Sequence, residues 1–493
     1  MAQGNLINSN IVTKELIYLY DNMPAISKHA DWSYSSKFGK TEQIGTSISV
    51  RRPVQIQAVN DGTWAYSAQT VQDTQVVLSL TSPIKYTPFF QDSDWGFRVE
   101  DFKKRYARAW IRSIVNQVDT LVADAISNAG ANIPVSSQLG GNPGVDGVQG
   151  AVTTALSGPN WCIYGSGNGA VVNGQAVPNY ALLASDITLA NQILTDAGIP
   201  FEDRIGVLTP KAEAQLLSQQ ATIYSNYAAS SDSMGEGKYV EAFGIKFFAS
   251  PNLADHTNGS AWTSGTALSV VTGQKSAGWA ETAIVTLSGL TNGQTLNIGD
   301  VFTVGTSLPT NKITTSNAST VTPQTGDVVA LNPLNRKRMS NRQQFTVVGL
   351  PAYTVTAGSA TLTATTAQVV ISPAPIHAGD FANISRALVA GDKATVFDAT
   401  ANSTGGDTFK ESVIMYPKSI AIASPELPDY REMGGNTRYE RDPDTGFGIR
   451  TSMQFDGMGV APGATNSVGV AIRLDLLIGV KILRPEGIVR VRS

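Results

Sequence analysis

Three histidines, His29, His256 and His377, and one cysteine, Cys162, are the residues of this chain with the widest chemical range, and they stand far apart in sequence. None lies at the short spacings by which His, Cys and carboxylates grip a metal from one turn or one helix face. Gly235-Glu-Gly-Lys238 and Gly165-Ser-Gly-Asn-Gly169 are glycine-rich. They lack the full glycine spacing and the Ser/Thr after lysine that a phosphate cradle needs, and both read as loops. Asp442-Pro-Asp444-Thr-Gly446 starts like a calcium loop, but no later bidentate Glu closes it and Pro443 is out of pattern. A β-rich hydrolase would need an acid/base pair assembled in space, with His256 or Asp255 the residue to test. The expectation is no catalytic residue, no metal and no cofactor.

Composition narrows the class further. The chain has 493 residues, 42% of them hydrophobic, enough to bury a core in two or three domains. Charged residues make up 15%, against about 25% in ordinary soluble domains, which suits a surface covered by neighbouring subunits. A net charge of −3 leaves no electrostatic footprint for tight duplex binding. A single cysteine excludes an intrachain disulfide. The start, Met-Ala-Gln-Gly-Asn, has no basic or apolar signal region, and no run of 18 apolar residues is present to cross a membrane.

Hydrophobic periodicity supplies the elements. Asn8 to Ala30 is an amphipathic segment that Pro24 ends or kinks. Ile48, Val50, Val54, Ile56 and Ala58 alternate into an Asn60-Asp61-Gly62 turn, and a return strand alternates from Val76 through Tyr86, which together predict a long hairpin with exposed edges at Pro53 and Pro83. Phe102, Tyr106, Trp110, Ile114, Val118 and Leu121 recur every three or four residues and predict one helix from Val99 to Ala129, with Lys103, Lys104, Arg105, Arg108 and Arg112 opposite. Helices are expected through Leu189 to Leu194 and after Thr209-Pro210, and strands at Arg204 to Leu208 and Ile245 to Ser250. From Trp262 to Thr400 the chain becomes a Thr/Val/Ser/Gly block with fourteen charged residues, only one of them Glu, and short alternating segments at Gly299 to Gly305, Gln344 to Gly349 and Tyr353 to Gly358. A small β module inserted into an α+β host is the simplest reading, with its core starting nearer Ala283.

Near the C-terminal end, Val470-Ala-Ile-Arg473-Leu-Asp475-Leu-Leu-Ile-Gly479-Val-Lys-Ile-Leu-Arg484-Pro485-Glu486 resembles the closing strands of major coat proteins of short-tailed phages. These belong to the Hong Kong 97-type capsid family, in the branch with an inserted domain typified by the short-tailed Salmonella phage coat protein. Gly446-Phe-Gly-Ile-Arg450 through Gln454-Phe-Asp456, and Phe409-Lys410 through Ser424-Pro-Glu-Leu-Pro428, are similar to the same family. Within the block, Leu287-Ser-Gly289, Ile298 to Val304, Arg342 to Val347 and Ile371 to Ile376 resemble its insertion domain in order. The Gly/Asn-rich stretch from Ala131 to Ala181 departs from the pattern.

The resemblance implies an α+β, Hong Kong 97-type capsid fold: an N-terminal arm (1–34), an extended β-hairpin loop (35–95), a long spine helix (96–135), a peripheral/axial region (136–264), an inserted all-β domain (265–400), and the remaining axial domain with C-terminal strands (401–493). It implies hexamers and pentamers of the chain forming an icosahedral shell around double-stranded DNA, a virion location after assembly in the host cytoplasm, scaffolding and portal proteins as partners, and a decoration protein as an optional one. Contact with packaged DNA would be weak and non-specific, and no membrane is involved. Arg51, Arg52, Asp61, Trp64 and Tyr66 are the implied intersubunit contacts, while Lys37 and Lys40 near the hairpin base are not expected to cross-link. The rival reading, a tail tube, fibre or decoration protein, predicts little helix.

Overall fold

The computed structural model describes residues 26–38, 47–51, 75–80, 82–91, 106, 108–127, 161–165, 171–172, 175–176, 181–223, 241–262, 266–276, 278–305, 326–351, 353, 355, 359–396, 408–427, 437–441, 447–456 and 469–493. The chain divides into two compact units, one of residues 1–50, 77–122 and 420–481, the other of 51–76, 123–419 and 482–493. Strands predominate, with three α-helices of 13 to 20 residues among the described residues.

In the first unit the 14-residue strand Gly469–Ile482 organises a six-stranded sheet. It pairs antiparallel with Gly448–Asp456, and that strand pairs with Thr437–Arg441. It also bonds Ser82–Tyr86, Phe89–Gln91 and Ile420–Ala423. The single return strand expected from Val76 to Tyr86 is instead two strands, Gln75–Ser79 and Ser82–Tyr86. Gln75–Ser79 pairs with Ser47–Arg51, but Ser82–Tyr86 leaves for the larger sheet, with Pro83 opposite Leu477. Among the described residues Ser82–Tyr86 pairs with that one strand, an edge position where a missing N–H is tolerated. The hairpin's middle and tip lie outside the described residues, as does the arm before Ile26.

Helix α1, Arg108–Ser127, carries the predicted stripe. Trp110, Ile114, Val118 and Leu121 are buried, while Arg112, Asn116 and Gln117 face solvent. The start expected at Val99 falls outside the described residues. Two acids, Asp119 and Asp124, interrupt the buried face, and Asp119, 1% exposed, accepts from Ser27 N (3.0 Å), Ser27 Oγ (2.7 Å) and Ile26 N (3.4 Å). Asp119 thus ties the segment before Trp32 to the helix. Asp31 then exchanges backbone bonds with Ile420 and Ile422, and Trp32 meets Phe447 edge-on.

The second unit holds a mixed seven-stranded sheet in the order Trp161–Tyr164, Ile488–Arg492, Thr408–Met415, Ile205–Leu208, Ile245–Ala249, Glu241–Ala242, with Asp255–Thr257 also on Thr408–Met415. Helices α2, Ala184–Asp196, and α3, Pro210–Ile223, supply Ile187, Ala190, Ile193, Leu194, Ala212 and Leu216 to a core with Trp161, Ile163, Phe247, Val489 and Val491. Both helices start as their sequences dictate. Asp186 reaches back to Leu183 N (2.8 Å), and Thr209 Oγ1 accepts from Ala212 N ahead of Pro210.

Between Asp255–Thr257 and Thr408–Met415 the chain builds a closed six-stranded barrel in the order Ala267–Thr272, Ala283–Ser288, Thr366–Ser372, Gln344–Gly349, Val301–Gly305, Lys393–Val396. Val285, Leu287, Phe302, Val304, Phe345, Val347, Val369 and Ile371 fill its fully buried interior. The first barrel strand precedes Ala283, where the sequence placed the start of the core, and Tyr353 and Val355 are irregular rather than strand. The two ends of the insertion are bonded to each other, His256 opposite Phe409 and Asp255 opposite Lys410.

Replacing Asp119 by Ala leaves buried donors without an acceptor, at about 1–3 kcal/mol each. Urea unfolding of Asp119→Ala is expected to show a loss of about 2–3 kcal/mol, and a change within experimental error would contradict this role.

Candidate functional site

The Ile488–Arg492 strand shows how the second unit is joined together. Alternation sends Val489 and Val491 to the helix side of the sheet and Arg490 and Arg492 to the other. Across the ladder Arg492 lies beside Tyr164 and Glu411, and Arg490 beside Cys162 and Val413. The face opposite the helices therefore carries two arginines, both 0% exposed, beside one carboxylate, and the barrel covers them.

Every nitrogen of Arg492 is hydrogen-bonded. Its Nε donates to Glu411 Oε1 (2.7 Å), one terminal nitrogen donates to Tyr164 Oη (2.8 Å) and Asn258 Oδ1 (3.1 Å), and the other donates to Gly299 O (2.9 Å). Arg490 donates to Thr346 Oγ1 (3.0 Å) and to Ser127 O (3.2 Å) at the C-terminal end of α1. Two guanidiniums against one carboxylate leave a surplus positive charge. The negative end of the α1 dipole and the Gly299 carbonyl offset it, and α1 has no basic residue of its own in its last turn. Burial alone would raise the Glu411 carboxyl, but Arg492 and then Arg490 outweigh it and hold it below its ordinary 4.5.

Two further contacts seal the seam. Gln344, from the barrel, accepts from Cys162 N (2.6 Å) and donates to Cys162 O (3.0 Å), filling the free edge of Trp161–Tyr164 as a neighbouring strand would. His256 Nε2 donates to Asp300 Oδ1 (3.1 Å), and Asp300 also accepts from Gly259 N, Asn297 N and Trp262 Nε1. Burial, then Arg492, lower the His256 pKa against the pull of Asp300 and Glu411, so the ring is neutral at pH 7. Gly299 makes the close approach feasible. Its φ is +95°, and an added Cβ would stand 2.7 Å from Ser127 O and 2.9 Å from the His256 ring.

This cluster can carry charge and hydrogen bonds between two modules. The pair weighed for a hydrolase does not come together: strand alternation buries His256 and turns Asp255 outward to Lys410, 2.6 Å away. His377 lies in the barrel's crossing segment and His29 in the first unit. Among the described residues no three His, Cys, Asp or Glu side chains gather as a metal site. Arg51 is exposed at the end of its strand and Tyr106 is half-buried, while Arg52, Asp61, Trp64, Tyr66 and Phe102 lie outside the described residues. Sequence reasoning missed Arg490, Arg492 and Glu411. The alternation in Ile488-Val-Arg-Val-Arg492 places both arginines on one face of the strand but reads equally as a solvated face.

No family model and no curated protein matches the chain. Solved structures that show some similarity to the chain include one described as Mycobacterium phage Che8 (11% identity, 95% of this chain and 91% of that one, TM-score 0.37). Others are the capsid of Ralstonia phage GP4 (8%, 94% and 91%, 0.39) and the capsid of cyanophage P-SCSP1u (11%, 91% and 84%, 0.37).

Gly299→Ala is expected to lower stability by about 2–4 kcal/mol, from the left-handed backbone and the contact with Ser127 O. Chemical denaturation checks this, and wild-type stability in the variant would contradict the close approach.

Proposed function

We propose that the chain is a major capsid protein that assembles as hexamers and pentamers into the icosahedral shell of a tailed double-stranded DNA phage. The observation that carries this reading is the order of elements: a strand pair at the base of a long loop, a 20-residue helix with one buried stripe, an α/β sheet, and a closed barrel inserted between two strands that pair with each other. That order agrees with the family resemblance of the sequence. Helix α1 weighs against a tail tube or fibre protein.

In this reading α1 acts as a rigid rod and the 35–95 loop as a clamp on a neighbouring subunit, with Arg51, Arg52, Asp61, Trp64 and Tyr66 as its contacts. The partners are further copies of the chain, with scaffolding and portal proteins during assembly. A net charge of −3 suits a container, because strong phosphate contacts would resist packaging and ejection. The protein has no catalytic task in this role.

Expression of the chain with a candidate scaffolding protein, followed by sedimentation and electron microscopy, is expected to yield closed shells or free capsomers. A well-folded monomer that forms neither would contradict the proposal.

A further inference from the structure

The seam between barrel and sheet differs in kind from the cores on either side. The barrel and the helix-covered face of the sheet each have a large apolar core, whereas the apolar part of the seam is the small cluster Cys162, Tyr164, Val301 and Phe409. The rest is polar: the Arg490–Arg492–Glu411 group, the Gln344 amide, and His256 on Asp300. A second contact is made elsewhere. The hairpin of Val329–Leu331 and Arg338–Arg342 sends Ala330 and Met339 into the helix-side core, and Asn332 Nδ2 donates to Asp196 O (2.6 Å). The inserted module is therefore held at two places of different chemistry.

We infer that the polar seam is an acid-sensitive latch: proton uptake at His256 opens the contact between barrel and sheet, while the hairpin contact keeps the two joined. His256 sits where opening would matter most, on the strand that starts the insertion and against Gly299, whose carbonyl receives Arg492. The groups around it are Asp300 from the barrel, Arg492 from the C-terminal strand, and Glu411 from the strand that ends the insertion. Arg490, Tyr164 and Cys162 lie next in the sheet, and the exposed Asp255–Lys410 pair flanks the ring. A proton on His256 would add a third cation beside two arginines, against two buried carboxylates, Asp300 and Glu411.

The sign follows from linkage. The closed seam holds His256 below its ordinary pKa of 6.5, so a state in which water reaches the ring binds the proton more readily. Opening is then favoured as pH falls below 6.5, by at most about tenfold per pH unit. Glu411, held below 4.5, adds a second step in the same direction at lower pH.

Hydrogen exchange of the full chain, corrected for the intrinsic pH dependence of exchange, tests the latch. From pH 7 to 5, segments 255–257, 297–303 and 488–492 are expected to lose protection by several-fold to tenfold or more, while 329–342 and the first-unit strand 420–423 keep theirs. His256→Gln retains a donor for Asp300 but takes up no proton, and it should hold protection flat to about pH 4.5. Circular dichroism verifies its folding, and His256→Asn serves if Gln does not fold. In wild-type protein with 13C-labelled histidine, only three signals arise, and that of His256 is expected to titrate below 6.5 together with the exchange change. Flat wild-type protection, equal loss in the Gln or Asn variant, or a His256 signal titrating at or above 6.5 would overturn the inference.

Discussion

A single guanidinium, that of Arg492, connects four segments that are remote in sequence: Tyr164, Asn258, Gly299 and Glu411. Burying it and Arg490 beside one carboxylate is tolerable only if each charge finds acceptors or an opposite charge, because an unpaired charge in such a place costs several kcal/mol; Arg490 Nε and Glu411 Oε2 have no hydrogen-bond partner among the described residues. That requirement dictates the surroundings. It brings the end of α1 to Arg490, puts a glycine at 299 where any Cβ would collide, and leaves only a neutral imidazole room beside the pair. Hydrophobic burial forms the two cores of the second unit, and the charge cluster sets how one is seated on the other.

The insertion is a module by construction. Its entry and exit strands pair with each other, so the host sheet runs on from one side of the insertion to the other. The barrel closes on itself and leaves no open edge of its own, and Gln344 covers the exposed edge of Trp161–Tyr164. In the proposed shell both features would help, since an unprotected sheet edge invites pairing with the wrong neighbour. The low charge of the chain is compatible with surfaces that other copies cover.

Local periodicity made much of this readable. The three-and-four spacing from Trp110 to Leu121, the alternation in Val301–Gly305 and Gln344–Gly349, and Thr209-Pro210 at the head of α3 each follow from rules acting within a few residues. The departure of Ser82–Tyr86 into another sheet was not readable, because alternation gives a strand's faces and not its partner. The seam was hidden for a stronger reason. Gln344 meets Cys162 across 182 positions and Arg490 meets Ser127 across 363, so the acceptors that legitimise a buried arginine are set by tertiary packing alone. Asp119 is similar: an acid beside an apolar stripe is readable as an exception, but its partners at Ile26 and Ser27 are not.

The claim that the charge cluster seats the barrel on the sheet is tested most directly by a double-mutant cycle on Glu411→Gln and Arg492→Met, with unfolding free energies from denaturant titration. The account predicts that each single change destabilises by about 3–5 kcal/mol, and that the double variant falls short of the sum by more than about 1.5 kcal/mol. Additive losses within about 0.5 kcal/mol would contradict it.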